Sequence, residues 1–205
     1  WVLSDESGSY AVAFPLPGDG ISALHAAGAI PDPYWARNEY DLRWICQRDW
    51  TARRRFDVAR TDLVLVISML DTVAEIAVNG VVVLASESMF RSYRVDLSAV
   101  LRLGGNEIAI TFRSAAKEAD ARQARQPYFV PFSANNTPIG NGNMLRKPAC
   151  DFGWDWNIAL ASFGLYGDLY LEPVTAARLA AVVVTQSHAA GRVVVSVAAE
   201  LAGEA

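Results

Sequence analysis

Hydrophobic and polar residues alternate with a period of two over positions 40 to 115, and the same alternation returns from position 165 onward. Successive side chains of a β-strand point to opposite faces of a sheet, so this period indicates strands with one buried face. Ile108, Ile110 and Phe112, for example, are predicted to face the core together. Short strands at this spacing are typical of a β-sandwich. We therefore expect an all-β fold.

Turn and helix signals interrupt the strand pattern. Asn79-Gly80 supplies two residues that suit a tight hairpin turn, so the apolar runs on either side of it are predicted to pair. Positions 20–33 (GISALHAAGAIPDP) predict one short helix, which Gly28 and the following prolines end. Positions 114–125 (SAAKEADARQAR) predict a second helix.

The region after the second helix indicates where function lies. Positions 126–149 carry little regular pattern but much Asn, Gly and Pro, and ordered loops of this length are usually functional. Beyond Val174 the sequence becomes rich in Ala and Val and predicts two strands of a new structural unit. We expect a first domain over 1–174, and in 175–205 the truncated start of a second domain of a longer protein.

Composition excludes several classes of function. The 205 residues carry a net charge of −4, and the basic cluster Arg53–Arg55 is predicted to be a solvated strand face, so we expect no nucleic-acid partner. No apolar run reaches the ~18 residues of a membrane span. The first residues, WVLSDESGSY, lack the pattern of a signal peptide, so we expect a cytoplasmic protein without a membrane partner.

Metal and disulfide chemistry also find little support. His25 and His188 stand far apart, without other ligands at the spacing that a metal site needs. Cys46 and Cys150 are too few for a disulfide framework. We therefore expect neither a metal nor another cofactor.

The motif DFGWDWN at positions 151–157 is the strongest chemical signal in the chain. An indole ring can cover the C–H face of a pyranose, and an ionised carboxylate beside it accepts hydrogen bonds from two neighbouring hydroxyls. Trp154, Asp155 and Trp156 are therefore candidate sugar-binding residues. The alternative is that the tryptophans cover the end of the sandwich and Asp155 caps a turn.

Four segments together resemble one family, the amino-terminal sugar-binding domain of β-mannosidases in glycoside hydrolase family 2. They are PLPGDGISALHAAGAIPDPYWARNEYDLRWICQRDW, LDTVAEIAVNG, SMFRSYRVDLSAVLRLGGNEIAITFRS and LRKPACDFGWDWNIALASFGLYGDLYLEP. Asp-Thr-x-Ala with Asn-Gly is similar to sequences across family 2, whereas Arg-Lys followed by Gly-Trp-Asp-Trp resembles the mannosidases in particular. The resemblance covers residues 1–173.

The resemblance implies a fold, and it implies that binding and catalysis lie on different domains. It implies a jelly-roll, galactose-binding-like β-sandwich with two short helices, followed by the first strands of an immunoglobulin-like sandwich. In such enzymes a (β/α)₈ barrel carries two catalytic glutamates. The resemblance also implies that the Trp-Asp-Trp loop contacts the terminal mannose of the substrate.

By the same resemblance, this chain holds no catalytic residue and is expected to be inactive alone. A barrel needs about 250 residues with alternating strands and helices, which this chain lacks. Glu39 and Glu107 are accordingly predicted to be surface or turn residues. The partners implied are a β-mannoside and the barrel of the same protein, and a homo-oligomer stays possible.

Three other hypotheses stay open at this point. The chain could be a stand-alone carbohydrate-binding module, because a jelly roll with loop tryptophans can bind glycans without a barrel. It could belong to a family 2 relative that acts on another β-glycoside. It could also be a purely structural sandwich in which the tryptophans are buried.

Overall fold

The computed structural model describes residues 1–132, 137–153, 156–175 and 177–203; Trp154 and Asp155 lie outside these ranges. The strands are β1 (Val2–Asp5), β2 (Ala11–Ala13), β3 (Gly18–Asp19), β4 (Trp50–Val58), β5 (Leu63–Ile67), β6 (Leu70–Asp71), β7 (Ala74–Val78), β8 (Val81–Ser86), β9 (Tyr93–Asp96), β10 (Gly104–Phe112), β11 (Gly164–Leu165), β12 (Leu169–Pro173), β13 (Arg178–Ala189) and β14 (Arg192–Ala202). The α-helices are α1 (Gly20–Ala26), α2 (Asn38–Asp41) and α3 (Ala115–Ala124), and 3₁₀ helices cover Arg43–Gln47, Gly142–Met144 and Ala149–Phe152.

Antiparallel sheets form the two layers of a sandwich. One layer is a six-stranded sheet in the order β2-β1-β4-β10-β7-β8. The facing strands lie in two three-stranded sheets, β12-β5-β9 and β3-β11-β6. In the middle of the large sheet Ile110 lies opposite both Ala52 of β4 and Ile76 of β7, and this register turns all three side chains inward. The prediction of an all-β sandwich is confirmed.

The main core lies between the inner faces of these layers. It includes side chains from both layers and from α1, with residues from β4, β7 and β10 meeting residues from β5, β6 and β11. The fully buried members include Leu3, Phe14, Leu24, Trp50, Ile67, Leu70, Ile76, Ile110, Phe112 and Leu165. The period-two pattern therefore identified the buried face of the central strands.

The predicted turn and helices are present. Asn79 and Gly80 have φ of 51° and 83° between β7 and β8, the left-handed conformation that a two-residue hairpin turn requires. Helix α1 begins after Asp19, whose side chain accepts from the Ser22 N–H. Helix α3 begins after Ser114, whose hydroxyl accepts from the Lys117 N–H.

Two features differ from the sequence pattern or extend it. The period-two prediction is wrong at its start, because positions 38–47 form α2 and a 3₁₀ helix and the strand begins only at Trp50. Leu42, Ile45 and Cys46 are buried there at the spacing of a helix face. The two strands expected beyond Val174 are present as β13 and β14, which pair with each other. Their assignment to a second domain stays a prediction.

Gly164 sits at the closest approach of two strands. It pairs with Asp19 in the β11-β3 ladder. A Cβ at Gly164 would lie 2.2 Å from the Gly18 carbonyl oxygen and 2.8 Å from the Asp19 Cα, both of them backbone atoms that cannot rotate away. Gly105, in contrast, would place a Cβ no closer than 3.8 Å to the Asp57 carboxylate.

We predict that Gly164→Ala lowers the free energy of unfolding by about 1–3 kcal/mol, because the extra methyl group forces β3 and β11 apart. Urea unfolding followed by tryptophan fluorescence measures this loss. Gly105→Ala is the matched control and is expected to leave the midpoint unchanged or slightly raised. Equal midpoints for the two variants would contradict the close approach at Gly164.

Candidate functional site

A cleft of about 380 Å³ lies at the end of the sandwich. Residues that precede the Trp154–Trp156 motif in the sequence and residues that follow it both line this cleft. Its walls come from α1, from the turn after that helix, from the 3₁₀ helix before the motif and from the segment after it. The lining residues are Asp19, Ile21, Ser22, His25, Asp32, Pro33, Tyr34, Asp151, Asn157, Ile158, Leu160, Ser162 and Tyr166.

The wall formed by residues 32–38 is a compact turn. The Asp32 side chain accepts from the Tyr34 N–H at 2.9 Å. The Asp32 backbone carbonyl accepts from the Trp35 N–H at 3.1 Å and from the Asn38 side chain at 2.7 Å. Proline on either side of Asp32 restricts the backbone further. This turn holds the rings of Tyr34 and Trp35 on the surface, 72% and 73% exposed.

The segment after the motif is tied to the same turn. Tyr34 Oη donates to Asn157 Oδ1 at 3.4 Å, and the Ile158 N–H donates to the same oxygen at 2.9 Å. The Ala159 N–H donates to Glu39 Oε2 at 2.9 Å. Because Ala159 is fully buried, the Glu39 carboxylate satisfies a backbone donor that water cannot reach. Glu39, expected to be a surface or turn residue, lies instead in α2, half-buried, and makes a structural contact.

A buried ion pair contacts two residues that line the cleft, Asp151 and Ser162. Lys147 Nζ pairs with the Asp71 carboxylate, and each side chain is only 1% exposed. The same ammonium donates to the Ser162 carbonyl at 3.1 Å and to the Ser162 hydroxyl at 3.2 Å. Asp151, which faces the cleft, is 3.7 Å from Lys147 Nζ.

Burial governs the acidity of Asp71 and of Tyr166, which lines the cleft. Burial raises the pKa of the Asp71 carboxyl above its usual value, while the Lys147 ammonium opposes that rise. Burial also raises the pKa of the Tyr166 hydroxyl, with the negative charge of Asp71 contributing, so this hydroxyl stays protonated. Tyr166 can therefore act as a hydrogen-bond donor.

The cleft offers a mixture of groups that suits a polyhydroxylated ligand. Carboxylates at Asp19, Asp32 and Asp151 accept hydrogen bonds, the Asn157 amide can donate, and the Tyr34 ring adds an apolar surface. Among the described ranges, no group of three His, Cys, Asp or Glu side chains could hold a metal ion. Within the same ranges, no helix is long and apolar enough to span a membrane.

Only part of the predicted sugar-binding motif can be placed. Trp156 is described, and its side chain is 72% exposed, which does not fit a tryptophan that covers the end of the sandwich. Trp154 and Asp155 lie outside the described residues. The predictions for these three residues as binding groups stay predictions.

Sequence reasoning missed the other lining residues. Asp32, Tyr34 and Ser162 belong to segments that carried the family resemblance, but their motifs gave no sign that they meet around one cleft. Ser162 stands more than 100 residues after Asp32 and Tyr34, and no local period reports such a contact. His25 had been considered only as a metal ligand, whereas it lines the cleft from α1.

Comparisons with known proteins agree with this architecture. Residues 1–167 match the family described as glycosyl hydrolase 2 galactose-binding domain-like. The chain is 32% identical to a β-mannosidase of Mus musculus over 190 residues, which are 87% of this chain and 21% of that protein. It therefore spans about a fifth of the length of this relative.

Solved structures give the same fold. A β-D-mannosidase from Dictyoglomus thermophilum superposes with a TM-score of 0.84 at 25% identity, over 98% of this chain and 25% of that one. The exo-chitosanase CsxA of Amycolatopsis orientalis gives a TM-score of 0.60 at 14% identity, over 100% of this chain and 27% of that one. The second likeness shows the fold alone.

We predict that Glu39→Ala lowers the free energy of unfolding by about 1–3 kcal/mol, because it leaves the buried Ala159 N–H without its acceptor. Glu39→Gln retains an oxygen that can accept the hydrogen bond, so this variant should lose less of the free energy of unfolding. Urea unfolding of both variants measures the difference.

Glu107→Ala is the control for a general effect of removing a glutamate. Glu107 lies 3.8 Å from Arg53 and from Arg55 on the exposed face of the large sheet, so its removal should change stability by less than about 0.5 kcal/mol. A loss for Glu107→Ala as large as that for Glu39→Ala would refute the role given to the Ala159 contact.

Proposed function

The chain belongs to the galactose-binding-domain-like family of glycosyl hydrolase 2, and from this membership we propose that it is the sugar-binding domain of a retaining exo-β-mannosidase. In this proposal the longer protein hydrolyses terminal β-D-mannosyl residues. The domain supplies one wall of the substrate pocket and no catalytic group.

The observation that carries the proposal is the position of the cleft. Asp151 and Asn157, which flank the Trp154–Trp156 motif, both line it. The motif itself resembles the sugar-contacting loop of β-mannosidases, and the mouse relative is a β-mannosidase. A concave, polar site whose lining residues flank two tryptophans in the sequence is the arrangement expected for a saccharide.

Each group would have a definite task in binding. Asp155 would accept hydrogen bonds from two hydroxyls of the terminal mannose, while the indoles of Trp154 and Trp156 cover its apolar face. Tyr34 and Asn157 would close the side of the pocket, since the hydrogen bond between them links the two walls. A pocket closed at one end admits only the end of a glycan, which explains an exo-acting enzyme.

The chemistry would take place on another part of the longer protein. A retaining glycosidase uses two carboxyl groups about 5–5.5 Å apart, one as the nucleophile and one as the acid and base. We propose that both belong to a barrel that faces this cleft. The present chain by itself should therefore be inactive, and its partners are the β-mannoside and that barrel.

We predict that the full-length protein containing this chain hydrolyses p-nitrophenyl β-D-mannoside in preference to the matching β-galactoside, β-glucuronide and β-glucosaminide. Asp155→Asn should lower kcat/KM by about 10- to 100-fold, the effect of losing hydrogen bonds to a charged acceptor. Initial rates over a range of substrate concentrations measure both quantities.

Asp57→Asn provides the matched control, because Asp57 is an exposed carboxylate on β4 that does not line the cleft. Its kinetics should equal those of the wild type. If the protein preferred another glycoside, the assignment of the domain would stand and the proposed substrate would be wrong. Absence of all hydrolysis, together with retained binding of mannosides, would replace the enzyme with a carbohydrate-binding module.

A further inference from the structure

Lys147 is an unusual residue for the interior of a small sandwich. Its side chain is 1% exposed, although lysine is almost never fully buried unless it is paired. It stands four residues before Asp151 and seven before Trp154, at the start of the irregular segment that forms the cleft wall. Its ammonium group lies 3.7 Å from the carboxylate of Asp151, which lines the cleft.

The ammonium group joins three parts of the chain. Asp71 belongs to β6, in the β3-β11-β6 sheet. Ser162 lies at the other end of the irregular segment, two residues before β11, and accepts from Lys147 through both its carbonyl and its hydroxyl. Asp151 lies between Lys147 and Ser162 in the sequence, and its carboxylate is 3.7 Å from Lys147 Nζ. One side chain thus fixes where the segment leaves the sandwich and where it returns.

Stability alone does not explain this arrangement. Removing an ammonium and a carboxylate from water is costly, and well-packed apolar residues of similar volume are often as stabilising as a buried ion pair. Apolar side chains are non-directional, however, whereas an ammonium with three donors specifies the positions of its acceptors. The ion pair therefore determines position more than it determines stability.

We propose that Lys147 is a positioning residue of the substrate pocket, which fixes the described parts of the cleft wall, residues 148–153 and 156–161, through Asp71 and Ser162. The proposal rests on the proposed function for its link to sugar binding. Through Lys147, Asp151 and Ser162 keep their places in the cleft wall.

The test compares three forms of the full-length protein: the wild type, Lys147→Met and the double variant Lys147→Met with Asp71→Leu. The single variant leaves a buried carboxylate without its partner and should lower the melting temperature. The double variant replaces the ion pair with an apolar pair and should melt close to the wild type. Arg113→Met is the control, since it removes ion pairs to Asp49 and Glu75 that do not line the cleft.

Hydrogen exchange followed by mass spectrometry reads the position of the segment directly. In the double variant, peptides from 148–161 should exchange about tenfold faster, while peptides from β10 keep their wild-type rates. The KM for p-nitrophenyl β-D-mannoside should rise about tenfold, with a smaller change in kcat, because the binding wall is displaced and the catalytic groups are not. Arg113→Met should change neither.

The two readouts separate the two proposals. Wild-type exchange in 148–161 in the double variant would overturn the role of Lys147, whatever the kinetics. Faster exchange with an unchanged KM would keep that role and overturn the assignment of the cleft to the substrate. Should the double variant fail to fold, Ser162→Ala removes one of the acceptors without exposing a charge, and faster exchange confined to 148–161 is again the result required.

Discussion

The stacking of Phe163 on Trp50 is the contact on which the position of the cleft depends. The two rings lie 5.7 Å apart at an angle of 20°, and Phe112 packs on the same phenyl ring at 5.4 Å. A Cβ at Gly20 would lie 2.1 Å from Phe163, so helix α1 can begin there only with glycine. The Phe163 carbonyl also accepts from the Gly20 N–H at 2.9 Å. The end of the irregular segment and the start of α1 are thus fixed at one point in the core, and both walls of the cleft extend from it.

A long segment without regular structure must satisfy its buried backbone groups by other means, since it has neither a helix nor a sheet to supply partners. Charged side chains from distant parts of the chain do so here. Glu39 accepts from the Ala159 N–H, and Lys147 donates to the carbonyl of Ser162. Each contact joins an irregular stretch to a different part of the sandwich.

The sequence predicted the sandwich well because its strands are half-buried, and one buried face produces a period of two that can be read locally. It failed over 38–47, where a helix face buries Leu42 and Ile45 within an apparently alternating stretch. The cleft could be predicted only in part. Its tryptophan motif is a local signal, whereas the contacts of Tyr34 with Asn157 and of Lys147 with Asp71 depend on how distant segments pack, which no local pattern records.

The proposed division between binding and chemistry fits the kind of surface that this fold provides. An open cleft at the end of a sandwich would hold a sugar by hydrogen bonds and ring contacts on one side only, so few contacts would remain to offset the ligand's loss of freedom. A second wall would add contacts and exclude water, which strengthens every hydrogen bond that the first wall makes. The first wall must then hold a fixed position relative to the second. A directional ionic anchor at Lys147 provides that constraint, and apolar packing of equal strength would not.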